Sequence, residues 1–269
     1  MSSKNNWFTT NLAERSLDNL VPFNITMSPY PIDTRFSFHE NCNRSALELY
    51  ETYDKLYVSY SGGLDSEFVL NTFHSLGLPI TPIILDTPYN KRELEYAYKY
   101  CDNRNIKPVI VNLNENETIQ KFKEKTLDRG FYALLGGAPL VVCDVVNELG
   151  GMLLTGYGDP FTIVPGTQPL EAIGLKPLEF SEWDYYLDAY DPKHPSSFFS
   201  YDLGVFHSLI RDISYDTPLQ IAKSDLYKLE SRSKLFWRED FYAIFRELKN
   251  SDIKEYNNYA SKTDILGRL

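Results

Sequence analysis

The chain has 269 residues, of which 43% are hydrophobic and 24% are charged, and this is the composition of a folded globular protein. Its net charge of −10 argues against a generally basic surface that binds nucleic acid without specificity. No apolar run reaches transmembrane length, and the first residues contain no apolar signal core. Three cysteines, none in a C-x-x-C pair, indicate free thiols in a reducing compartment. We therefore expect a cytoplasmic protein.

The N-terminal part, residues 1–45, is predicted to be an extension that packs on the core, because prolines interrupt any long element. Short strands are predicted at 23–27 and 34–38. A helix is predicted over 43–53. These elements lead into the main domain.

The next stretch, residues 46–190, alternates short apolar runs with helical patterns and is predicted to form one α/β domain. The predicted strands span 55–60, 80–85, 107–113 and 152–155. The helix after the first strand is predicted to end before Gly77, and the later helices span 91–104, 115–128 and 140–149. Pro139 is predicted to occupy the first position at the start of the last helix. Near-continuous apolar strands that alternate with helices indicate a parallel, doubly wound sheet. Ligands in such sheets bind at the carboxyl ends of the strands.

The C-terminal part is rich in loops and then helical. Residues 161–200 contain many prolines and aromatic residues, with a fifth strand predicted near 178–181. The last region, 191–269, is predicted to be helical, with helices over 201–213, 218–229 and 236–249.

The run Ser61–Ser66, with the sequence S-G-G-L-D-S, lies between the first predicted strand of the sheet and its helix. Glycines let backbone N–H groups approach an anion closely, and the helix start adds donors and a positive dipole end. The two serines can add hydroxyl donors. Asp65 would repel phosphate, so it caps the helix or reaches a Mg²⁺ ion that a polyphosphate carries in. The alternative is a glycine-rich turn without a ligand.

Two further strand ends carry polar residues. Asp86 follows the second strand, while Gly156, Gly158 and Asp159 follow the fourth. Since the carboxyl ends of parallel strands meet at one edge, a single cleft can hold all of them together with the glycine loop. The alternatives are a polar turn residue at Asp86 and a tight turn in which Asp159 is a cap.

Two other features allow more than one interpretation. Gly136 and Gly137 form either a plain helix entry or a second backbone wall of the cleft. The histidines lack the spacing of metal ligands and are predicted to be surface or core residues: His39, His74, His194 and His207.

The S-G-G-x-D-S pattern resembles the signature of the PP-loop ATP pyrophosphatases, the adenine nucleotide α-hydrolase-like superfamily with a Rossmann-like fold. The resemblance covers about residues 54–160. It implies a site for the β- and γ-phosphates of ATP, with Mg²⁺, formed by Ser61, Gly62, Gly63, Asp65 and Ser66. The α-phosphate is then open to a substrate oxygen, and an amine, ammonia or sulfur nucleophile displaces the resulting adenylate.

The same resemblance implies roles for residues outside the loop. Asp86 would lie near the nucleotide. The glycine–acid run with Gly156, Gly158 and Asp159 would pack against ATP or hold a second metal. The candidate metal ligands are therefore Asp65 in the loop and Asp159 in this run. A later lysine often completes such a phosphate site. Lys223 is the candidate, with Lys176 in reserve, so the catalytic candidates are Asp65 and Lys223.

Departures from known subfamilies leave the acceptor unassigned. No cysteine follows Cys143, so the chain lacks the C-terminal catalytic cysteine of the sulfonucleotide reductases. The turn at Asp86 and Thr87 nevertheless resembles the second-strand segment of those reductases. The zinc-binding cysteines of the 7-deazaguanine synthases are also missing. The acceptor is then an unidentified small molecule or nucleotide, and a homo-oligomer is compatible with the sequence. The alternative is a non-catalytic nucleotide- or sulfonucleotide-binding module with a protein partner.

Overall fold

The computed structural model describes residues 8–10, 25–27, 35–129, 136–156, 161–163, 173–175, 187, 190–191, 193–194, 197–205 and 208. The strand predicted at 178–181 and the helices predicted at 218–229 and 236–249 lie outside this part of the chain. Among the described helices, none combines the length and the apolar character needed to cross a membrane.

A four-stranded parallel sheet forms the centre of the protein, as the sequence predicted. Its strands are β3 (Leu56–Ser59), β4 (Thr81–Asp86), β5 (Val109–Asn112) and β6 (Met152–Leu154), in the spatial order β5-β4-β3-β6. The chain runs outward from β3 to β5 and then crosses to the other side of β3. The strand order therefore reverses between β3 and β6, and open α/β sheets bind their ligands at such a reversal.

Five helices accompany this sheet: α1 (Phe38–Thr52), α2 (Leu64–Ser75), α3 (Lys91–Asn103), α4 (Glu115–Lys125) and α5 (Gly137–Leu149). A 3₁₀ turn at Leu127–Arg129 follows α4. The helical pattern predicted over 115–128 thus divides at Thr126, whose backbone N–H already bonds to carbonyls of the last turn of α4.

The helices cover both faces of the sheet. Residues of α1, α2 and α3 form one buried cluster, and residues of α4 and α5 form a second. Neighbouring strand residues alternate between the clusters: Val58 and Ile84 belong to the first, Tyr57 and Ile83 to the second. Because successive side chains on a strand point to opposite faces, the sheet is doubly wound, as predicted.

The first helix begins earlier than predicted. The strand expected at 34–38 is absent, and α1 starts at Phe38 behind the N-cap Ser37. The Ser37 hydroxyl accepts a bond from the Glu40 backbone N–H at 3.3 Å, and the Glu40 carboxylate accepts one from the Ser37 N–H at 2.7 Å. This capping box fixes the helix start. The pattern S-x-x-E was visible in the sequence and outweighs the strand-like residues around it.

Short strands lie outside the main sheet. β1 (Phe8–Thr10) pairs antiparallel with β2 (Ile25–Met27), which confirms a strand within 23–27. β7 (Phe161–Ile163) pairs antiparallel with β8 (Ile173–Leu175), in a stretch where only loops were predicted. Three-residue strands give too little alternation for a pattern to indicate them.

The last described helix, α6 (Phe198–Tyr201), ends where the sequence predicted a helix to begin. Asp202 is extended, and its carboxylate accepts a hydrogen bond from the Gly204 backbone N–H. Helical residues resume at Leu203. Asp202 therefore acts as a cap between two helical stretches, which is a usual role for aspartate.

Gly137 explains the start of α5. A Cβ atom at this position would lie 2.7 Å from the Cα of Phe122 in α4. Gly137 thus serves helix packing, which favours the plain helix entry over a second wall of the cleft. The helix begins at Gly137, so Pro139 is its third residue and not its first as predicted, still within the turn that tolerates proline.

Candidate functional site

The glycine loop lies between the end of β3 and the start of α2, at the reversal of strand order. Gly62 has φ +83°, a conformation that strongly favours glycine. The Ser66 hydroxyl donates to the Gly63 carbonyl at 3.3 Å and lies 3.4 Å from the Ser61 backbone N–H, while Ser61 Oγ accepts from the Gly63 N–H at 3.2 Å. The loop is therefore held in shape by its own hydroxyl groups.

The two serines differ in accessibility. Ser61 is exposed, whereas Ser66 is 5% exposed and its hydroxyl bonds within the loop. The sequence predicted both hydroxyls as donors to an anion. In this structure, Ser61 faces outward and Ser66 acts as an internal brace.

The start of α2 has no side-chain cap. Its N-cap residue is Gly63. The starts of α3 and α5 also lack a capping side chain, whereas α1 and α4 begin with complete capping boxes at Ser37 and Asn114. The first N–H groups of an α-helix have no partner within the helix, so a start without a capping side chain can offer them to an anion. Asp65 lies in this first turn and is partly exposed.

Gly156 packs directly against the loop. A Cβ atom on Gly156 would lie 2.6 Å from the Ser66 backbone nitrogen and 2.7 Å from the carbonyl carbon of Asp65. The preceding residue, Thr155, is fully buried, and its carbonyl accepts a bond from the Phe198 N–H at 3.0 Å. The sequence singled out Gly156 as a ligand contact. Its position shows that it lets the end of β6 reach the first turn of α2.

Asp86 lies at the end of β4, next to β3, and both of its carboxylate oxygens have partners. Oδ1 forms an ion pair with Lys91, and Oδ2 accepts a hydrogen bond from the Tyr98 hydroxyl at 3.0 Å. Burial, together with the hydrogen bond to Asp86, raises the pKa of Tyr98 to about 12. Tyr98 therefore remains a neutral donor at physiological pH, and Asp86 is held by both residues.

The structure brings together Ser61, Gly62, Gly63, Asp65, Ser66 and Gly156, and it places Asp86 at the neighbouring strand end. The remaining candidates lie outside the described residues: Gly158, Asp159, Lys176 and Lys223.

Tyr60 and Glu67, the residues that flank the loop, were not among the candidates predicted from the sequence. The Tyr60 hydroxyl donates to the Glu67 carboxylate at 2.9 Å, and both residues are buried. The available indication was an acidic residue that directly precedes the apolar run Phe68–Leu70 on α2. Without a partner to place it, such a residue is interpreted as part of a solvated helix face.

A second polar cluster lies at β6, the outer strand of the described sheet. Cys143, Asp191 and His194 each place a potential metal ligand atom within 4.8 Å of the others. However, His194 Nδ1 accepts a bond from the Leu153 backbone N–H at 3.0 Å, which puts the ring proton on Nε2, 3.0 Å from Asn147 Oδ1. Both ring nitrogens are used, so the cluster is unsuited to a metal ion.

The same cluster stabilises the edge of the sheet. Burial raises the pKa of the Cys143 thiol to about 12, and Cys143 is a buried free thiol, as predicted. His194 is fully buried, which confirms a core histidine. Burial lowers the pKa of His194, so the imidazole stays neutral. The neutral ring accepts the hydrogen bond of the Leu153 N–H, as the carbonyl of a neighbouring strand otherwise would.

Acidification should therefore destabilise the protein through His194. The unfolded chain takes up a proton near the ordinary pKa of 6.5, before the native state does. The stabilising contribution is complete above that pH and is lost as the pH falls through the lowered native pKa. We expect urea unfolding to show a larger loss between about pH 7.5 and 5.5 in the wild type than in His194→Gln, by up to about 1.4 kcal/mol, because the unfolded chain binds at most one extra proton over the pH unit below 6.5. Equal losses in both proteins would contradict this role.

Together, the sheet and the loop define an α/β protein with a glycine-rich loop at the carboxyl edge of its parallel strands. No protein-family model and no curated protein matches the chain. Among the solved structures that align with it, two have low identity and low TM-scores. One is a glutamine-dependent NAD⁺ synthetase from Acinetobacter baumannii in complex with ADP, with a TM-score of 0.35 and 13% identity over 49% of this chain and 27% of that one.

The other is an NMN synthetase from Francisella tularensis, with a TM-score of 0.34 and 15% identity over 76% of this chain and 95% of that one. The chain thus spans about a quarter of the first protein and nearly all of the second.

Proposed function

We propose that this protein is an ATP pyrophosphatase of the PP-loop type. It binds ATP with Mg²⁺, transfers AMP to an oxygen of a small-molecule or nucleotide acceptor, and releases pyrophosphate. An amine, ammonia or sulfur nucleophile then displaces AMP from the adenylated acceptor. The acceptor and the nucleophile are unassigned.

One observation carries the proposal. The run Ser61–Ser66, which resembles the PP-loop signature, lies between a parallel strand and a helix, at the reversal of strand order. Its helix begins with Gly63 and no capping side chain, so the first-turn N–H groups can face phosphate oxygens. Gly62, with φ +83°, lets the backbone turn tightly just before this helix start.

In this proposal the loop binds and orients the leaving group. Gly62 and Gly63 let backbone donors approach the β- and γ-phosphates, and the exposed Ser61 hydroxyl donates a further bond. These donors are preorganised for the charge that builds on pyrophosphate as the bond to the α-phosphate breaks. The buried Ser66 keeps the loop in this shape.

The donor set at the loop fits Mg²⁺. Asp65 is partly exposed in the first turn of α2, and carboxylate oxygens suit this ion. When bound, Mg²⁺ supplies positive charge that stabilises the departing pyrophosphate. We propose Asp159 as a second metal ligand, Lys223 as the phosphate-binding lysine with Lys176 in reserve, and Gly158 and Asp86 as residues near the nucleotide.

Incubation of the purified protein with α-labelled ATP, Mg²⁺ and a panel of carboxylates, amides and nucleotides tests this function. We expect the label in AMP or an adenylated acceptor, with pyrophosphate as the second product. Asp65→Ala should reduce this turnover by about 10²–10³-fold, the usual effect of losing one group that stabilises transition-state charge. Formation of ADP and orthophosphate, or an Asp65→Ala variant with full turnover, would contradict the proposal.

A second candidate function is a nucleotide-binding module without turnover that acts with a protein partner. The contacts of Asp86 favour it, because Lys91 and Tyr98 bond to both of its carboxylate oxygens and give it a structural role beside the loop. Tight ATP binding without cleavage in the presence of every acceptor would support this candidate.

A further inference from the structure

The residues on either side of the glycine loop are joined to each other. Tyr60 directly precedes Ser61, and Glu67 directly follows Ser66. The Tyr60 hydroxyl donates to Glu67 Oε2 at 2.9 Å, and the two residues are 1% and 2% exposed. This contact, the Tyr60–Glu67 pair, connects the two ends of the loop through one hydrogen bond.

Each member of the pair is fixed to a rigid element. The Tyr60 backbone N–H bonds to the Ile83 carbonyl at 2.8 Å, which extends the β3–β4 pairing beyond Ser59. The Glu67 backbone N–H bonds to the Gly63 carbonyl at 3.1 Å, which is the first turn of α2. The pair therefore links the end of a strand to the start of a helix across a loop of six residues.

The pair also lies beside a partly buried polar network. The Tyr60 ring makes an edge contact with the Tyr100 ring, with centroids 5.5 Å apart. The Tyr100 hydroxyl donates to Asn71 Oδ1 at 2.8 Å, and the Arg104 guanidinium lies 4.0 Å from the centre of its ring. Tyr60 and Tyr100 meet through their rings, so this contact does not depend on the Tyr100 hydroxyl.

We propose that the Tyr60–Glu67 pair is a positioning device that sets the width of the loop for the β- and γ-phosphates of ATP. The pair need not touch the phosphates, since its hydrogen bond lies in the core. The same bond keeps the Glu67 carboxylate in the core on the inner side of α2, so this carboxylate does not face the phosphate site. This inference rests on the proposed function and extends it to residues outside the loop motif.

Titration calorimetry with ATP, inorganic pyrophosphate and AMP, each with Mg²⁺, tests the proposal. Tyr60→Phe removes the donor that links the two ends of the loop, and we expect ATP and pyrophosphate to bind about tenfold more weakly, because the loop N–H groups are then less well placed for these phosphates. The affinity for AMP, which lacks the leaving phosphates, should be unchanged. Glu67→Gln keeps an acceptor for Tyr60 and should retain most of the preference for ATP over AMP.

Two further variants keep the test decisive. Tyr60→Phe combined with Glu67→Met replaces both partners by apolar groups of similar size, which preserves folding but removes the bond. This double variant should lose the preference for ATP over AMP. Tyr100→Phe breaks a hydrogen bond of the neighbouring network and should lower stability without changing that preference.

The outcomes separate this inference from the proposed function. A wild type that does not prefer ATP or pyrophosphate over AMP would contradict the proposed function itself. A wild type with that preference, retained in full by the folded double variant, would overturn only the positioning role. An equal loss of preference in Tyr100→Phe would also overturn it, because the effect would then belong to the core as a whole.

Discussion

Gly156→Ala is expected to weaken ATP binding and to lower the free energy of unfolding at the same time. The added Cβ atom would lie 2.6–2.8 Å from the backbone of Asp65 and Ser66, closer than Cβ atoms approach other heavy atoms. Backbone cannot rotate away as a side chain can, so the end of β6 or the first turn of α2 must shift. Such overpacking costs about 1–3 kcal/mol. The shift would also displace the loop donors, so ATP affinity should fall by about tenfold or more.

Gly151→Ala is the matched control, because Gly151 lies at the opposite end of β6. Its Cβ atom would meet the Tyr57 ring at 2.4 Å and the Lys55 carbonyl oxygen at 3.0 Å, away from the glycine loop. Urea unfolding should show a loss of stability in both variants. Calorimetry at a temperature where both are folded should show weaker ATP binding only in Gly156→Ala. Equal ATP affinities in the two variants would contradict a role of Gly156 in placing the loop.

Gly62→Ala is the second change with a large expected effect. Gly62 has φ +83°, where an alanine is strained by roughly 1–2 kcal/mol. The alanine would relieve this strain by rotating the backbone, which turns the loop N–H groups away from the phosphate site. We therefore expect the preference for ATP over AMP to be lost, with a stability decrease of about 1 kcal/mol.

Gly77→Ala separates backbone strain from loss of the site. Gly77 has φ +68° and no atom within 4 Å of a built Cβ, so its substitution introduces a similar strain beyond the other end of α2. Both variants should lose similar stability in urea unfolding, while calorimetry should find normal ATP affinity in Gly77→Ala. If Gly62→Ala binds ATP as well as Gly77→Ala, the loop is not the phosphate site.

The parallel sheet could be predicted from the sequence because its strands are buried on both faces and its helices alternate with them. The loop Ser61–Ser66 could be predicted because its glycines and its place between strand and helix are local features. The start of α1 was mispredicted, although the capping box at Ser37 and Glu40 was also local.

Other features depend on contacts between distant parts of the chain. The role of Gly156 follows from the crossing of β6 to the far side of β3, which periodicity does not specify. His194 bonds to Leu153 across 41 positions of sequence, and no spacing rule connects the two. Glu67 could not be identified as buried until Tyr60 was placed beside it. Tertiary contacts of this kind override the local preferences from which a sequence is interpreted.

The most direct test of ATP binding at the loop is a crystal structure with Mg²⁺ and α,β-methylene-ATP, which resists cleavage at the proposed bond. We predict electron density for the β- and γ-phosphates against Ser61–Ser66, with Asp65 beside the metal ion and the α-phosphate on the open side of the site. Phosphates bound away from this loop, or a nucleotide whose γ-phosphate points away from it, would contradict the proposal.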